Sequence, residues 1–224
     1  GEGAPIAPIY HKLLLNQLKA PLPAVVVNLG GIANITYWDG SHLIGFDTGP
    51  GNNLMDIYMK KTFNKDYDLN GVYASKGSTK QYLIKEYCTI PFFKQKPPKS
   101  LERQDLLNND FLNIIFTLKP FDCMATLCDL TAFCIQIGYN FLPEKPKTTI
   151  LVGGGQKNQS LVKFIKKRID NTVFTANDLN ISGDHIESEL IGYLAARYLK
   201  KMPSTFPSTT NVSKPTILGQ ISHL

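Results

Sequence analysis

The chain of 224 residues, 43% hydrophobic and 19% charged, has the composition of a globular protein long enough to bury a sizeable core. Its formal charge is +6, but arginine occurs only at 103, 168 and 197, and the lysines are spread out apart from the stretches 94–99 and 166–168. That is the distribution of a solvated surface, and it argues against a nucleic-acid partner.

No apolar run reads as long enough to cross a bilayer, and no signal-peptide pattern opens the chain, so the expected setting is cytoplasmic, with no membrane partner. The first residue is Gly1 in place of Met, which points to a processed terminus or to a piece of a longer polypeptide. Cys88, Cys123, Cys128 and Cys134 form no CxxC pair and no zinc-ligand spacing, and buried reduced thiols are the expectation. The glycosylation-type tripeptides at Asn34, Asn158 and Asn211 read as chance matches.

In chain order, residues 8–19 read as a helix with Ile9, Leu13, Leu14 and Leu18 on one face, ended by Ala20-Pro-Leu-Pro23. Ala24-Val-Val-Val27 is a buried strand. A Gly-Gly turn, the strand Ile35–Trp38, the hairpin signal Asp39-Gly40 and the strand His42–Phe46 follow, and together they predict an antiparallel meander. A helix is expected from about Leu54 to Lys61. Residues 63–100 are polar and turn-rich, with a helix near 78–87 and a stiff break at Pro97-Pro98. Asp122 reads as the N-cap of a long helix bearing Met124, Leu127, Cys128, Ile135 and Tyr139 at helical spacing. Then come a buried strand at 149–152, a helix at 159–168, a strand at 172–175 and a helix at 185–199. The fold class is α/β: a mixed sheet with a three-strand meander and flanking helices.

Three glycine-rich segments carry candidate chemistry. Asn28-Leu-Gly-Gly-Ile-Ala-Asn-Ile-Thr36 places Gly30 and Gly31 at a strand-to-strand turn, where backbone amides can approach a phosphate. On glycines alone, an ordinary hairpin is the simpler reading. Gly45-Phe-Asp-Thr-Gly-Pro-Gly-Asn-Asn53 ends a strand near Asp47 and feeds a helix N-terminus, a natural anion site. Asp47 is placed to hold Mg²⁺ directly or through water. Leu151-Val-Gly-Gly-Gly-Gln-Lys-Asn158 ends a buried strand in Gly153, Gly154 and Gly155, at the edge where an open α/β sheet binds ligands. It is neither a GxGxxG nor a Walker A loop, so a Rossmann reading fails on spacing. His11, His42, His185 and His223 show no ligand spacing.

The order of phosphate turn, aspartate loop and strand-GGG-helix resembles the second lobe of actin-like and hexokinase-like ATPases. The finer resemblance is to the anhydro-N-acetylmuramic acid kinase family. It is carried by Gly1-Glu-Gly-Ala-Pro5, Asn28–Asn34, Gly45–Asp56, Pro97-Pro-Lys-Ser100, the helix Ala125–Ala132 and Gly153–Asn158, collinear over nearly the whole chain.

The resemblance implies a ribonuclease H-like ATPase lobe. It also implies an ATP- and Mg²⁺-dependent kinase that opens the ring of 1,6-anhydro-N-acetylmuramic acid with water and phosphorylates O6. On it, Gly30, Gly31, Asn34, Asp47 and Gly49 lie near the phosphates and Mg²⁺. Gly153, Gly154, Gly155 and Asn158 lie near the adenosine, and Glu187 binds the amino sugar. The implied organisation is a remnant helix of the first lobe in 1–22 and the nucleotide lobe in 23–224, with a polar insertion near 63–121. The family's first phosphate loop and the aspartate that acts as general base have no counterpart in this sequence. The expectations are therefore weak nucleotide binding, no turnover by the isolated chain, a separate N-terminal lobe or a second copy as partner, and a loosely packed helix 8–19. The family's STGRE, EA and PxxTGA segments are altered here at Ser100–Gln104, Glu187-Ser188 and Pro207–Val212. The alternative is a non-catalytic nucleotide-binding or interaction module that keeps the fold.

Overall fold

Consecutive β-branched residues cannot pack well on a helix but fit a pleated, doubly buried strand. Accordingly Ala24, Val25, Val26 and Val27 open strand β1 (Ala24–Leu29) and all four are fully buried. In the computed structural model, which describes residues 3–102, 110–181 and 186–220, β1 is the middle strand of a five-stranded sheet. It pairs antiparallel with β2 (Ile32–Trp38), which pairs antiparallel with β3 (Leu43–Pro50). On its other side β1 runs parallel to β4 (Thr148–Val152), which runs parallel to β5 (Thr172–Thr175). The order β3-β2-β1-β4-β5, with β2 alone reversed, is the mixed sheet and meander expected from the sequence. Asp39 closes the second hairpin by accepting the amides of Ser41 and His42, both at 2.7 Å.

Strand alternation sends two sets of side chains to opposite faces. Val25, Val27 and Leu29 join Ile35, Tyr37 and Phe46 beneath the helices α2 (Asn53–Phe63), α5 (Pro120–Tyr139) and α6 (Gln159–Arg168). Val26, Trp38, Ile150 and Val152 meet α1 (Pro8–Gln17) and α7 (Ile186–Leu199) on the other face. Each such buried side chain is worth about 1.5–3 kcal/mol of transfer free energy.

Four sequence expectations are corrected. Helix α1 does not pack loosely. Tyr10, Leu14 and Leu15 are buried, Leu13 and Leu18 lie against the same cluster, and Asn16 accepts from the Trp38 indole at 3.1 Å. Asp122 is not an N-cap. Helix α5 starts at Pro120, whose fixed φ suits a first turn, and Asp122 instead holds the Ser78 amide at 2.8 Å and Lys80 at 2.8 Å. Helix α5 is also long and apolar enough, by length and composition, to cross a membrane. However, 72% of its most apolar window is buried inside the fold, as befits a core helix. Finally, the stretch after α2 holds the expected helix as α3 (Gln81–Tyr87) but is not merely polar, since it buries Leu83, Ile84, Tyr87, Phe92 and Phe93 against α5. Two short helices complete the described chain, α4 (Asp110–Ile115) and α8 (Pro207–Thr210). The altered segment Ser100–Gln104 lies partly outside the described residues, as does His185.

Candidate functional site

The Gly30-Gly31 turn is fastened from below by the start of α2. The Gly30 carbonyl accepts the Asn52 amide at 2.8 Å, and the Gly31 carbonyl accepts those of Gly51 and Asn53 at 3.0 and 3.3 Å. The Asn52 side chain adds a bond to the Leu29 carbonyl at 3.0 Å. Of these amides only that of Asn53 belongs to α2 itself; Gly51 and Asn52 precede the helix and tie its start to the turn. A side chain at Gly51 would stand 2.1 Å from the Gly30 oxygen, so the fold itself demands glycine there.

The triple-glycine loop closes on the same place. Gly153 has φ +79°, and a β-carbon on it would lie 2.5 Å from the Asn28 amide oxygen. A β-carbon on Gly155 would lie 2.6 Å from the Asn52 amide oxygen. Asn52 therefore touches both loops, across about a hundred residues of sequence, at the carboxyl ends of β1 and β4. Gly30, Gly31 and Gly154 differ from these. Their φ is not left-handed, and the nearest atoms to an added β-carbon are 3.5, 3.8 and 3.9 Å away. Nothing in the fold requires these three to lack a side chain.

Two adjoining cavities open beside them. One of about 520 Å³ is walled by Asn52, Tyr67, Asn70, Gly154, Gly155 and Asn158. The other, about 580 Å³, is walled by Gly31, Asn53, Lys60 and Asp66. Both volumes suit a small molecule. Asp56 lines both. Its carboxylate has no hydrogen-bond partner among the described residues, and burial pushes its pKa up to about 6. Asn158 spends its oxygen on capping α6, accepting the Leu161 amide at 3.0 Å, and still faces the cavity.

Asp47 lies elsewhere. Strand β3 does not end there but runs on to Pro50, so Asp47 is within the strand, in register with Asn34, which is itself opposite Asn28. Residues opposite one another share a face, so Asn28, Asn34 and Asp47 form a polar row on the face covered by α1. The Asn34 amide oxygen is buried without a hydrogen-bond partner among the described residues. The segment after Pro98 runs along the free edge of β3. The Asp47 amide donates to the Lys99 carbonyl at 3.0 Å, and the Leu101 amide donates to the Asp47 carboxylate at 2.9 Å. Asp47 is 5% exposed, and burial, opposed by that amide and by Lys99, raises its pKa to about 6. Lys99 sits between the Phe92 and Phe141 rings at 4.4 and 4.7 Å, and burial lowers its pKa to about 8.

Magnesium takes oxygen ligands in an open octahedron and keeps several waters. Asp47, enclosed and beside a lysine, does not fit that need, whereas Asp56, half-buried and facing both cavities, does. Gly49 packs on Cys134 rather than on a cavity. Glu187 is exposed on the first turn of α7, on the α1 side of the sheet, and the structure does not bring it to the two cavities.

Asn28, Asn52 and Asp56 were missed as site residues, although each stands inside a segment singled out in the sequence. Their signal was position in a glycine-rich run, which does not say which polar side chain turns toward the loops.

A family model described as Anhydro-N-acetylmuramic acid kinase matches residues 1–223. The chain is 40% identical over 225 residues to an anhydro-N-acetylmuramic acid kinase of Bradyrhizobium diazoefficiens, covering 99% of this chain and 60% of that protein. It is 38% identical over 226 residues to one of Zymomonas mobilis, covering 100% and 60%. Among solved structures it is similar to the activator of the 2-hydroxyisocaproyl-CoA dehydratase from Clostridium difficile with bound ADPNP. There the TM-score is 0.49 and the identity 13%, over 81% of this chain and 63% of that one. The chain thus spans about 60% of the length of the curated relatives it matches. It belongs to the anhydro-N-acetylmuramic acid kinase family.

Proposed function

We propose that residues 23–224, with the segment near 63–121 inserted, form the nucleotide-binding lobe of a cytoplasmic sugar kinase. The proposed reaction uses ATP to open 1,6-anhydro-N-acetylmuramic acid and phosphorylate its O6. The observation that carries this reading is that Gly31 and Gly154, glycines the fold does not need, each line one of two adjoining cavities, with Gly30 next to Gly31 in the turn. A missing side chain that packing does not require leaves room for a ligand to meet the backbone. On this reading the phosphates lie over the Gly30-Gly31 turn, and the adenosine lies against Gly154, Gly155 and Asn158.

Magnesium, when bound, neutralises phosphate charge, and Asp56 would hold it. Asn34 and Asp47 face the N-terminal segment that carries Gly3-Ala4-Pro5, and Glu187 is assigned to the sugar by the family pattern. Phosphoryl transfer rests on positioning and charge stabilisation from both walls of a cleft. We therefore assign this chain one wall, the other coming from sequence that the relatives carry in their remaining length.

Gly154→Ala and Gly31→Ala test the reading. Both variants should unfold with the wild-type midpoint, because the added carbon meets no protein atom closer than 3.8 Å. Both should bind ATP at least about tenfold more weakly, by the loss of one close backbone contact. Unchanged affinity in both would refute the placement. Tight ATP binding without sugar phosphorylation, even when the remainder of a relative is supplied, would favour a non-catalytic nucleotide-binding module.

A further inference from the structure

The Cys88 and Cys134 sulfurs lie 3.9 Å apart, although the residues are 46 positions apart in sequence. Cys88 caps the C-terminus of α3 and is partly exposed, while Cys134 lies fully buried in the middle of α5. Neither thiol is needed by the nucleotide reading. We propose that Cys88 and Cys134 form a reversible thiol–disulfide pair that, on oxidation by a peroxide, clamps α3 to the core helix.

A disulfide bond is about 2.05 Å long, so the sulfurs must close by roughly 1.9 Å, within reach of a side-chain rotation at the end of a short helix. The partly exposed sulfur is the one a small oxidant can reach. Burial holds the Cys134 thiol well above its ordinary pKa, so it stays protonated and the first step falls to Cys88. The Cys88 sulfur attacks one peroxide oxygen and the O–O bond breaks. Cys88 becomes a sulfenic acid, and the other oxygen leaves as water with the Cys88 proton. The Cys134 sulfur then displaces the sulfenic hydroxyl, which departs as a second water with the Cys134 proton. Two thiols lose two electrons, and one hydrogen peroxide becomes two waters.

Two features set this pair apart from the other cysteines. Cys123 and Cys128 are buried, and Cys128 is turned to the Met55 sulfur at 3.2 Å. Cys134 also touches the glycine-rich segment. A β-carbon on Gly49 would stand 2.9 Å from the Cys134 β-carbon, two residues beyond Asp47. The bond would therefore tie α3 to the same helix face on which that segment rests.

The test is peroxide treatment of the folded chain with the sulfenic-acid trap dimedone present, followed by peptide mapping without reductant. The expected result in wild type is a Cys88–Cys134 cross-link with loss of two hydrogens, undone by dithiothreitol, with little trapped Cys88. Cys134→Ser should trap Cys88 as the dimedone adduct, and Cys88→Ser should leave Cys134 unreacted. Wild-type Cys88 accumulating as the adduct or as a higher acid while Cys134 stays free would overturn the proposal. So would a cross-link between Cys88 residues of two chains. The wild-type map decides even if a variant fails to fold.

Discussion

His11 and Asp47 lie on one face of the sheet and pull stability in opposite directions with pH. His11 is 1% exposed, bonded to the Thr36 hydroxyl at 2.7 Å, and burial lowers its pKa from 6.5 to about 4. Between those values the unfolded chain binds the extra proton, so stability is lost as pH falls from 6.5 toward 4, by roughly 3 kcal/mol in all. For Asp47 the carboxyl is raised from 3.8 to about 6, chiefly by burial. There the folded chain binds the extra proton, so stability is lost as pH rises from 3.8 to 6, by about 3 kcal/mol. Asp56, raised from 3.8 to about 6 by burial, adds a slope of the same sign, so the two carboxyls outweigh His11 and the wild type should lose stability, by up to roughly 3 kcal/mol net, as pH rises from 4 to 6. Asp47→Asn leaves His11 and Asp56 nearly balanced, and urea unfolding should show stability close to level from pH 4 to 6. A variant whose stability falls with pH as steeply as the wild type's would remove Asp47 from this balance. Asp56→Asn has a separate signature. It should weaken ATP binding about tenfold with magnesium present and leave it unchanged in EDTA, since only the cation-bound form uses the carboxylate. Equal loss in both conditions would make Asp56 a packing residue.

At the scale of elements, the final helix explains one departure from the family pattern. Asn211 stands where PxxTGA has glycine, and it adopts the left-handed conformation, φ 58° and ψ 27°, at the end of α8. Asparagine is the residue that best tolerates this conformation after glycine. That helix docks on the sheet edge through Ser208, which donates to the Leu43 carbonyl at 2.5 Å. Asn211→Gly should leave the unfolding midpoint within error of wild type, while Asn211→Val should cost roughly 1–2 kcal/mol. If valine is as stable as asparagine, the left-handed cap does not explain the substitution. The strands and their order were readable beforehand because β-branched runs such as Ala24–Val27, broken by Gly-Gly and Asp-Gly, carry a period and a stop. Apart from the helix near 78–87, the stretch between α2 and α5 was not. Its buried Phe92 and Phe93 stand on a single turn of 3₁₀ helix, Pro91–Lys94, too short to display a period. For the same reason the three glycine loops could be found from sequence, while Asn52, which joins two of them, could not. Its role depends on the α2 start folding back beneath the Gly30-Gly31 turn. Asp47 was misplaced along its strand because Gly49 and Pro50 read as loop residues, yet they continue β3 along an edge where proline is tolerated.

Over the whole molecule, one sheet gathers its glycines and its polar side chains at two separate places. The ends of β1 and β4 gather the glycine loops, while the polar row Asn28, Asn34 and Asp47 looks toward the N-terminal segment. If the chain supplies one wall of a kinase cleft, it should release no ADP in the presence of the anhydro sugar on its own. It should do so when fused to the remaining part of a relative. Groups that act together across a cleft are not additive, so loss of one wall removes more than its own contacts. Robust turnover by the 224-residue chain alone would contradict that division of labour. The central claim, that the unneeded glycines line a nucleotide site, is tested most directly by titrating the chain with Mg·ATP and following backbone amides by NMR. The account predicts weak, saturable binding with the largest shifts at Gly30, Gly31, Gly154 and Gly155, abolished in Gly154→Ala. Saturable shifts clustered elsewhere, or none at these four glycines at saturating nucleotide, would contradict it.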